Sequence, residues 1–331
     1  EQITITEQNS IEYIGEGAFY ELRNTSFIMS EMNSLLYVDN YAFYGCEQLT
    51  NFIAPNIEFY GQDVFYDCKN LESMTLTGDK ALYHMFGSSS SDFDIIEIGE
   101  ETYSAPKRLT TVYLSQTALS IMDYAFYGCI SVEEIYLNYG IEQIGDYAFY
   151  GCENLERVVW GGNIKHIGEY AFYGCENLVS SQDEGSQIVF HSTLRTIGDY
   201  SFSGLSNIEY IELEQNSQLR YIGERAFANL TDTIFNLGDI IRTLTIGEYA
   251  FENCNLLEEF NATNIAHMGD GVFSGCESLV YVSLTSDDFV GKIFGDIPYA
   301  NSYQVSYEGE TYYIPLSLTS INISRTMTTI S

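Results

Sequence analysis

Ile144-Gly145-Asp146-Tyr147-Ala148-Phe149-Tyr150-Gly151-Cys152 is repeated 23 residues on as Ile167-Gly168-Glu169-Tyr170-Ala171-Phe172-Tyr173-Gly174-Cys175. Aligned on the phenylalanine, the register recurs at Phe19, Phe43, Phe65, Phe126, Phe149, Phe172, Phe202, Phe227, Phe251 and Phe273. The gaps are 24, 22, 61, 23, 23, 30, 25, 24 and 22 residues. Periodicity has to be settled before domains are counted. A globular chain of 331 residues would divide into two or three domains, whereas a stack of short coils grows by repetition.

The neighbours of the phenylalanine are periodic too. An apolar residue stands five before it in most copies (Ile14, Val38, Ile121, Ile144, Ile167, Ile197, Ile222, Ile246, Met268), and another stands eight before it. Two residues after it come Gly45, Asp67, Gly128, Gly151, Gly174, Gly204, Asn229, Asn253 and Gly275, with Glu21 in the first copy. Gly, Asn and Asp tolerate φ > 0, so a tight turn or a 3₁₀ fragment is expected there. Downstream, Leu155-Val158-Trp160, Ile208-Ile211-Leu213 and Leu279-Val282-Leu284 end in the alternation of a short strand buried on one face. No copy can bury its apolar side alone, so the copies must stack, with equivalent strands pairing in parallel.

The long gap has its own plan. Met85-Phe86-Gly87, a polar stretch and Pro106-Lys107-Arg108-Leu109 recur as Ile293-Phe294-Gly295, a polar stretch and Pro315-Leu316-Ser317-Leu318. Phe86 and Phe294 therefore head coils that carry insertions, at 88–106 and 296–314, and a smaller insertion at 181–191 explains the 30-residue gap. Residues 1–331 read as a single solenoid of about 12 coils with an irregular first coil at 1–30. The chain ends partway through a repeat, which reads as a fragment of a longer protein. The polar insertions, Ser88 to Tyr103 and Ser181 to Gly185, are expected to be held by little.

The string Ile-Gly-x-x-Ala-Phe-x-Gly-Cys-x-x-Leu, as in Ile144 to Leu155, resembles the BspA-type leucine-rich repeat of bacterial and protist surface proteins. The inserted unit resembles insertions in such proteins from gut bacteria. The resemblance implies a leucine-rich repeat solenoid with a parallel sheet on its concave face, short turns or 3₁₀ segments on its convex face, and almost no long helix. It further implies display outside the cell or on its surface, and adhesion to host or neighbouring-cell components.

Thirteen basic against 47 acidic side chains give a net charge of −34, which repels nucleic acid. No run approaches the ~20 apolar residues of a membrane helix. Cys46, Cys68, Cys129, Cys152, Cys175, Cys254 and Cys276 all lie three after the repeat phenylalanine, where other copies have Leu22, Leu205 and Leu230. A position that accepts Cys or Leu is a core position, so buried free thiols are expected rather than disulfides or zinc ligands. Catalytic grammar is missing: the histidines make no His-Glu-x-x-His, and no Gly-x-Ser-x-Gly or phosphate loop occurs. No enzyme, cofactor or metal is expected.

What remains is the outward side of the concave strands. By register it carries Ser73 and Thr75, Thr111 and Tyr113, Glu134 and Tyr136, Arg157 and Val159, Tyr210 and Glu212, Glu259 and Asn261, Tyr281 and Ser283. Tyrosines beside charges suit binding, so the candidate residues are Tyr113, Glu134, Tyr136, Arg157, Tyr210, Glu212, Glu259 and Tyr281. Tyrosines flanking the Ala-Phe pair recur in too many copies for a ligand site and read as packing between coils. The function expected is a monomeric module binding a protein or glycan, with a basic surface favoured. The alternative is a structural spacer in a larger surface protein.

Overall fold

The structure, a computed structural model, describes residues 1–6, 9–79, 85–86, 91–179, 188–237, 240, 242–262, 265–284, 290–307 and 309–323. These form a parallel β-solenoid of about 11 turns with essentially no helix, in two compact units, Glu1–Gly161 and Gly162–Ser331. In the first unit the downstream strands Asn51–Phe52, Ser73–Leu76, Thr111–Leu114, Glu134–Tyr136 and Arg157–Val159 make one parallel sheet. In the second unit, Ile188–Phe190, Tyr210–Leu213 and Ile234–Asn236 make one such sheet, and Glu259–Phe260, Tyr281–Leu284 and Ser320–Ile323 another.

A second set of strands, which the sequence reading did not foresee, runs just ahead of each Ala-Phe turn. In the first unit these are Tyr13–Ile14, Tyr37–Val38 and Phe59–Tyr60, then Ser120–Ile121 and Gln143–Ile144. The second unit has His166–Ile167, Thr196–Ile197, Tyr221–Ile222, Leu244–Ile246 and Ile265–Met268. Most are two residues long, one outward and one buried, because the apolar residue five before the phenylalanine is the inward member.

Between the two sheets runs the phenylalanine column. Phe43, Phe65, Phe126, Phe149, Phe172, Phe202, Phe227, Phe251 and Phe273 are fully buried. Neighbouring rings stack with centroids 5.0 Å apart for Phe126–Phe149 and 5.1 Å apart for Phe172–Phe202. Each buried ring is worth roughly 1.5–3 kcal/mol of transfer free energy.

The turn itself is hydrogen-bonded from coil to coil. The amides two before the phenylalanine, on it and two after it donate to the next coil, as in Tyr41→Gln62, Phe43→Val64 and Gly45→Tyr66 at 2.9, 3.0 and 2.8 Å. Amides in between close short turns on their own coil, Tyr44→Tyr41 and Cys46→Phe43. Alternating bonds of this kind need left-handed backbone twice per coil. One such position is the expected Gly, Asn or Asp. The other is two before the phenylalanine, where Tyr41, Tyr124, Tyr147, Tyr170, Tyr200 and Tyr249 have φ between 52 and 59°. A left-handed L-residue is strained by roughly 1–2 kcal/mol. Ring stacking offsets part of this: Tyr124–Tyr147 lie 5.1 Å apart at 2°, and Tyr170–Tyr200 4.8 Å apart at 3°. Where Arg225 takes the position, its guanidinium lies 4.4 Å from the Tyr249 ring centroid.

The seven cysteines are free and buried, as the Cys-for-Leu substitution implied. Their thiols also make bonds. Sγ of Cys46, Cys152, Cys254 and Cys276 donates to the carbonyl of the preceding coil's phenylalanine at 3.0–3.1 Å.

The insertions differ from expectation. Residues Phe93–Ile98 and Glu101–Pro106 form an antiparallel hairpin turned by Gly99 at φ 63°, with Phe93, Ile96 and Ala105 buried. Ser302–Tyr307 and Glu310–Pro315 form another. The first is an ordered sheet where a stretch held by little was expected, because apolar side chains anchor it. Of the span 181–191, residues 181–187 lie outside the described residues. Its end, Ile188–Phe190, is a sheet strand with Phe190 packed 5.5 Å from Phe202, so the insertion ends sooner than expected.

Two glycines separate the constraints on the coil. A Cβ on Gly151, at φ 69°, would meet nothing nearer than 3.9 Å, so Gly151→Ala tests backbone strain alone and should destabilise by about 1–2 kcal/mol. A Cβ on Gly223 would stand 2.3 Å from Asp199 Oδ1 and 2.4 Å from its amide nitrogen, so Gly223→Ala forces two coils apart. It should cost roughly 3 kcal/mol or more in urea unfolding. Equal losses would show that the Ile-Gly glycine does not set coil spacing. For the thiols, burial pushes Cys46 up to about 12. Because all seven cysteines are buried, a thiol reagent at pH 8 should label none of them in the native chain and all seven after unfolding without reductant.

Candidate binding surfaces

Strand register decides which outward side chains meet. In the first unit Thr111 stands opposite Glu134, and Glu134 opposite Arg157; one step along, Tyr113 stands opposite Tyr136. The two tyrosine rings stack at 4.8 Å and 17°. Tyr136 donates its hydroxyl to Glu134 Oε2 at 2.8 Å. That bond, with burial, raises the Tyr136 pKa and keeps the phenol protonated. Arg157 completes the group, its guanidinium carbon 5.9 Å from the Tyr136 centroid and Nη1 3.9 Å from Glu134 Oε1. Four of the eight candidate residues thus form one half-buried cluster with an aromatic face and charges of both signs.

Beside the tyrosine pair opens a cleft of about 230 Å³. Its lining combines Tyr113 and Tyr136 with the apolar Ile53, Pro55, Leu114 and Leu137 and the polar Glu31, Gln116 and Asn138. The loops after the strands hold it rigidly. Asn138 donates to Ala118 O at 3.0 Å, the Gln116 amide to Pro55 O at 2.7 Å, and Ser115 Oγ to Ile57 O at 2.6 Å. The sequence reading missed these loop residues, since they follow the strand alternation and carry no period of their own. It also placed Thr75 at solvent. Thr75 is buried, because its hydroxyl accepts from the Ala54 amide at 3.1 Å beneath the same cleft.

The other four candidates lie in the second unit, on two further sheets. Tyr210 and Glu212 share the strand Tyr210–Leu213, and the Asn236 amide donates to the Tyr210 hydroxyl at 3.2 Å. Glu259 faces Tyr281 in register on the other sheet. Among the described residues no group of three or more His, Cys, Asp or Glu is placed to hold a metal ion, and no helix is long and apolar enough to cross a membrane.

A second outward row lies on the short-strand sheet of the first unit, where Tyr13, Tyr37 and Phe59 stand in register. The available signal was an aromatic residue six before the phenylalanine in the first three copies (and again at Tyr221), against polar residues at the others.

The model of the BspA type leucine rich repeat region matches six copies, over residues 1–91, 96–183 and 180–300. The chain belongs to the BspA-type leucine-rich repeat family. No curated protein matches. Among solved structures, this BspA-type chain is similar to a leucine rich repeat protein of T. pallidum at 24% identity and TM-score 0.44, over 58% of this chain and 90% of that one. It is similar to a leucine-rich repeat protein from Bacteroides ovatus at 20% identity and TM-score 0.44, over 86% and 78%. It is also similar to the pneumococcal vaccine antigen PcpA at 18% identity and TM-score 0.34, over 100% and 69%. BspA-type repeats are repeats of surface proteins, and leucine-rich repeats are typically non-enzymatic scaffolds.

Proposed function

We propose that this BspA-type chain is a binding module displayed outside the cell, adhesive in use, whose docking surface is the sheet face around Tyr113 and Tyr136. The observation that carries this reading is the half-buried, stacked tyrosine pair beside a rigid cleft, next to Glu134 and Arg157. Rigid amphipathic rings give contact area at low entropic cost. A cleft lined by two tyrosines and Glu31 suits a long cationic side chain, which gains cation–π attraction from the rings and a carboxylate partner. The partner that fits is a protein with a basic or mixed surface, drawn in by the net charge of −34. Tyr210, Glu212, Glu259 and Tyr281 extend the same kind of surface onto the second unit's sheets.

The competing reading is a spacer in which the tyrosine pair is only a cross-strand ladder. The core columns are uniform while the outward strand residues vary, which favours binding over spacing. A screen of the folded chain against immobilised host matrix proteins and glycans identifies the partner. Tyr113→Ser with Tyr136→Ser should then weaken it about tenfold or more, and binding should fall as salt rises. The melting temperature should shift by no more than a few degrees, as expected for losing one half-buried ring pair worth about 1 kcal/mol. Loss of stability in step with binding would make the rings structural and move the docking surface elsewhere.

A further inference from the structure

Tyr20, Tyr44 and Tyr66 follow the column phenylalanine in the first three coils and stack on one another. Their centroids are 4.9 Å apart at 14° for Tyr20–Tyr44 and 4.5 Å apart at 2° for Tyr44–Tyr66. The Tyr44–Tyr66 pair is closer than the Tyr113–Tyr136, Tyr124–Tyr147, Tyr127–Tyr150 and Tyr170–Tyr200 stacks, which stand at 4.8, 5.1, 5.0 and 4.8 Å. Later copies put Ser203, Ala228, Glu252 and Ser274 at the same position, so coils stack without a tyrosine there.

The two rings lie face to face and in the same sense. Burial, and after it the Tyr66 and Tyr20 phenols, raise the Tyr44 pKa, which places the Tyr66 hydroxyl beside that of Tyr44 rather than at the far side of the stack. The carbons ortho to each hydroxyl therefore stand over the neighbouring ring. A phenoxyl radical carries unpaired density on those carbons, in lobes that point out of the ring face. Two radicals held in this pair meet lobe to lobe, which is the approach that forms a carbon–carbon bond. No diffusion is needed, and a pair held close to the reacting geometry has a large effective concentration. Both rings are half-buried rather than enclosed. The seven thiols, which would yield electrons more readily, are buried.

We propose that Tyr44 and Tyr66 are a dityrosine site, joined by a haem peroxidase acting with hydrogen peroxide. Each phenol gives up one electron and its hydroxyl proton. The two radicals bond through one ortho carbon each, and those carbons then release their hydrogens as protons while the hydroxyls are regained. In sum two C–H bonds break and one C–C bond forms, and one hydrogen peroxide takes the two electrons and two protons to become two waters. The bond closes the 22-residue step from Tyr44 to Tyr66 and fastens one coil to the next. A cross-link that closes a loop removes freedom from the unfolded chain and so stabilises the fold.

Dilute full chain treated with a haem peroxidase and one equivalent of hydrogen peroxide tests the proposal. It should gain dityrosine fluorescence and lose the mass of two hydrogens without forming linked dimers. Mass spectrometry of a digest should find Tyr44 joined to Tyr66 as the main linked pair, and the linked chain should unfold at higher urea than the untreated one. Tyr44→Phe keeps the ring and its stacking but removes the phenol, so it should lose this link at an unchanged melting temperature, whereas Tyr20→Phe should keep it. The same treatment in urea should give the Tyr44–Tyr66 pair at about tenfold lower yield or less. The site is overturned by a native chain that gains no dityrosine, by a main link elsewhere or between chains, by an equal yield of the pair in urea, or by an unchanged urea midpoint in the linked chain.

Discussion

Each coil depends on the hydrogen bonds that its Ala-Phe turn sends to the next one. A turn this short cannot satisfy its own amides, and a buried unpaired amide costs about 1–3 kcal/mol. The solution in Tyr41, Phe43 and Gly45 is to aim every second N–H at a carbonyl of the following coil. The other constant features follow from that ladder. It requires left-handed backbone on both sides of the phenylalanine, which explains Gly, Asn or Asp on one side and ring-stacked tyrosine on the other. It brings coils close enough that Gly223 and Gly247 cannot carry a side chain without meeting the backbone of the coil before. It also fixes the phenylalanine rings in a stack and leaves their carbonyls within reach of the thiol one coil later.

The division between legible and hidden features follows the same physics. The phenylalanine column, the interchange of Cys with Leu and the turn residue after the phenylalanine are visible in sequence because every coil imposes the same demand. Tyr113, Glu134, Tyr136 and Arg157 could be placed on one face from alternation alone, and register brings them together. A strand of two residues such as Tyr37–Val38 has no period of its own to detect, so the short-strand sheet went unread and its outward row shows only when the same position is compared from copy to copy. The tyrosines before Ala-Phe were recognisable as packing, but their backbone was not: Gly17, Asp63 and Gly271 in the same column were the hints that φ is positive there. The first hairpin went unread because the residues it buries, Phe93 and Ile96, stand three apart in a Ser-rich, acidic stretch and make no alternation to detect. Cleft residues such as Gln116 and Asn138 belong to single loops, and repetition says nothing of features that occur once.

Fold and binding therefore occupy different positions of the repeat. Inward columns are constant because neighbouring coils fix them, and outward positions are free to differ because only solvent or a ligand faces them. Each short strand offers one such position and each long strand two, which allows two faces of one coil to specialise independently without disturbing the stack.

The thiol column has a bearing on the life history of the molecule. While the coils are closed, seven sulfhydryl groups sit buried and out of reach, most of them bonded to carbonyls, and an oxidising medium leaves them alone. Open the stack, and the same groups become seven points at which chains can couple to themselves or to one another. Maturation then has an order imposed by chemistry: folding must finish before oxidation begins. A chain that once loses its stack in air has little prospect of finding it again.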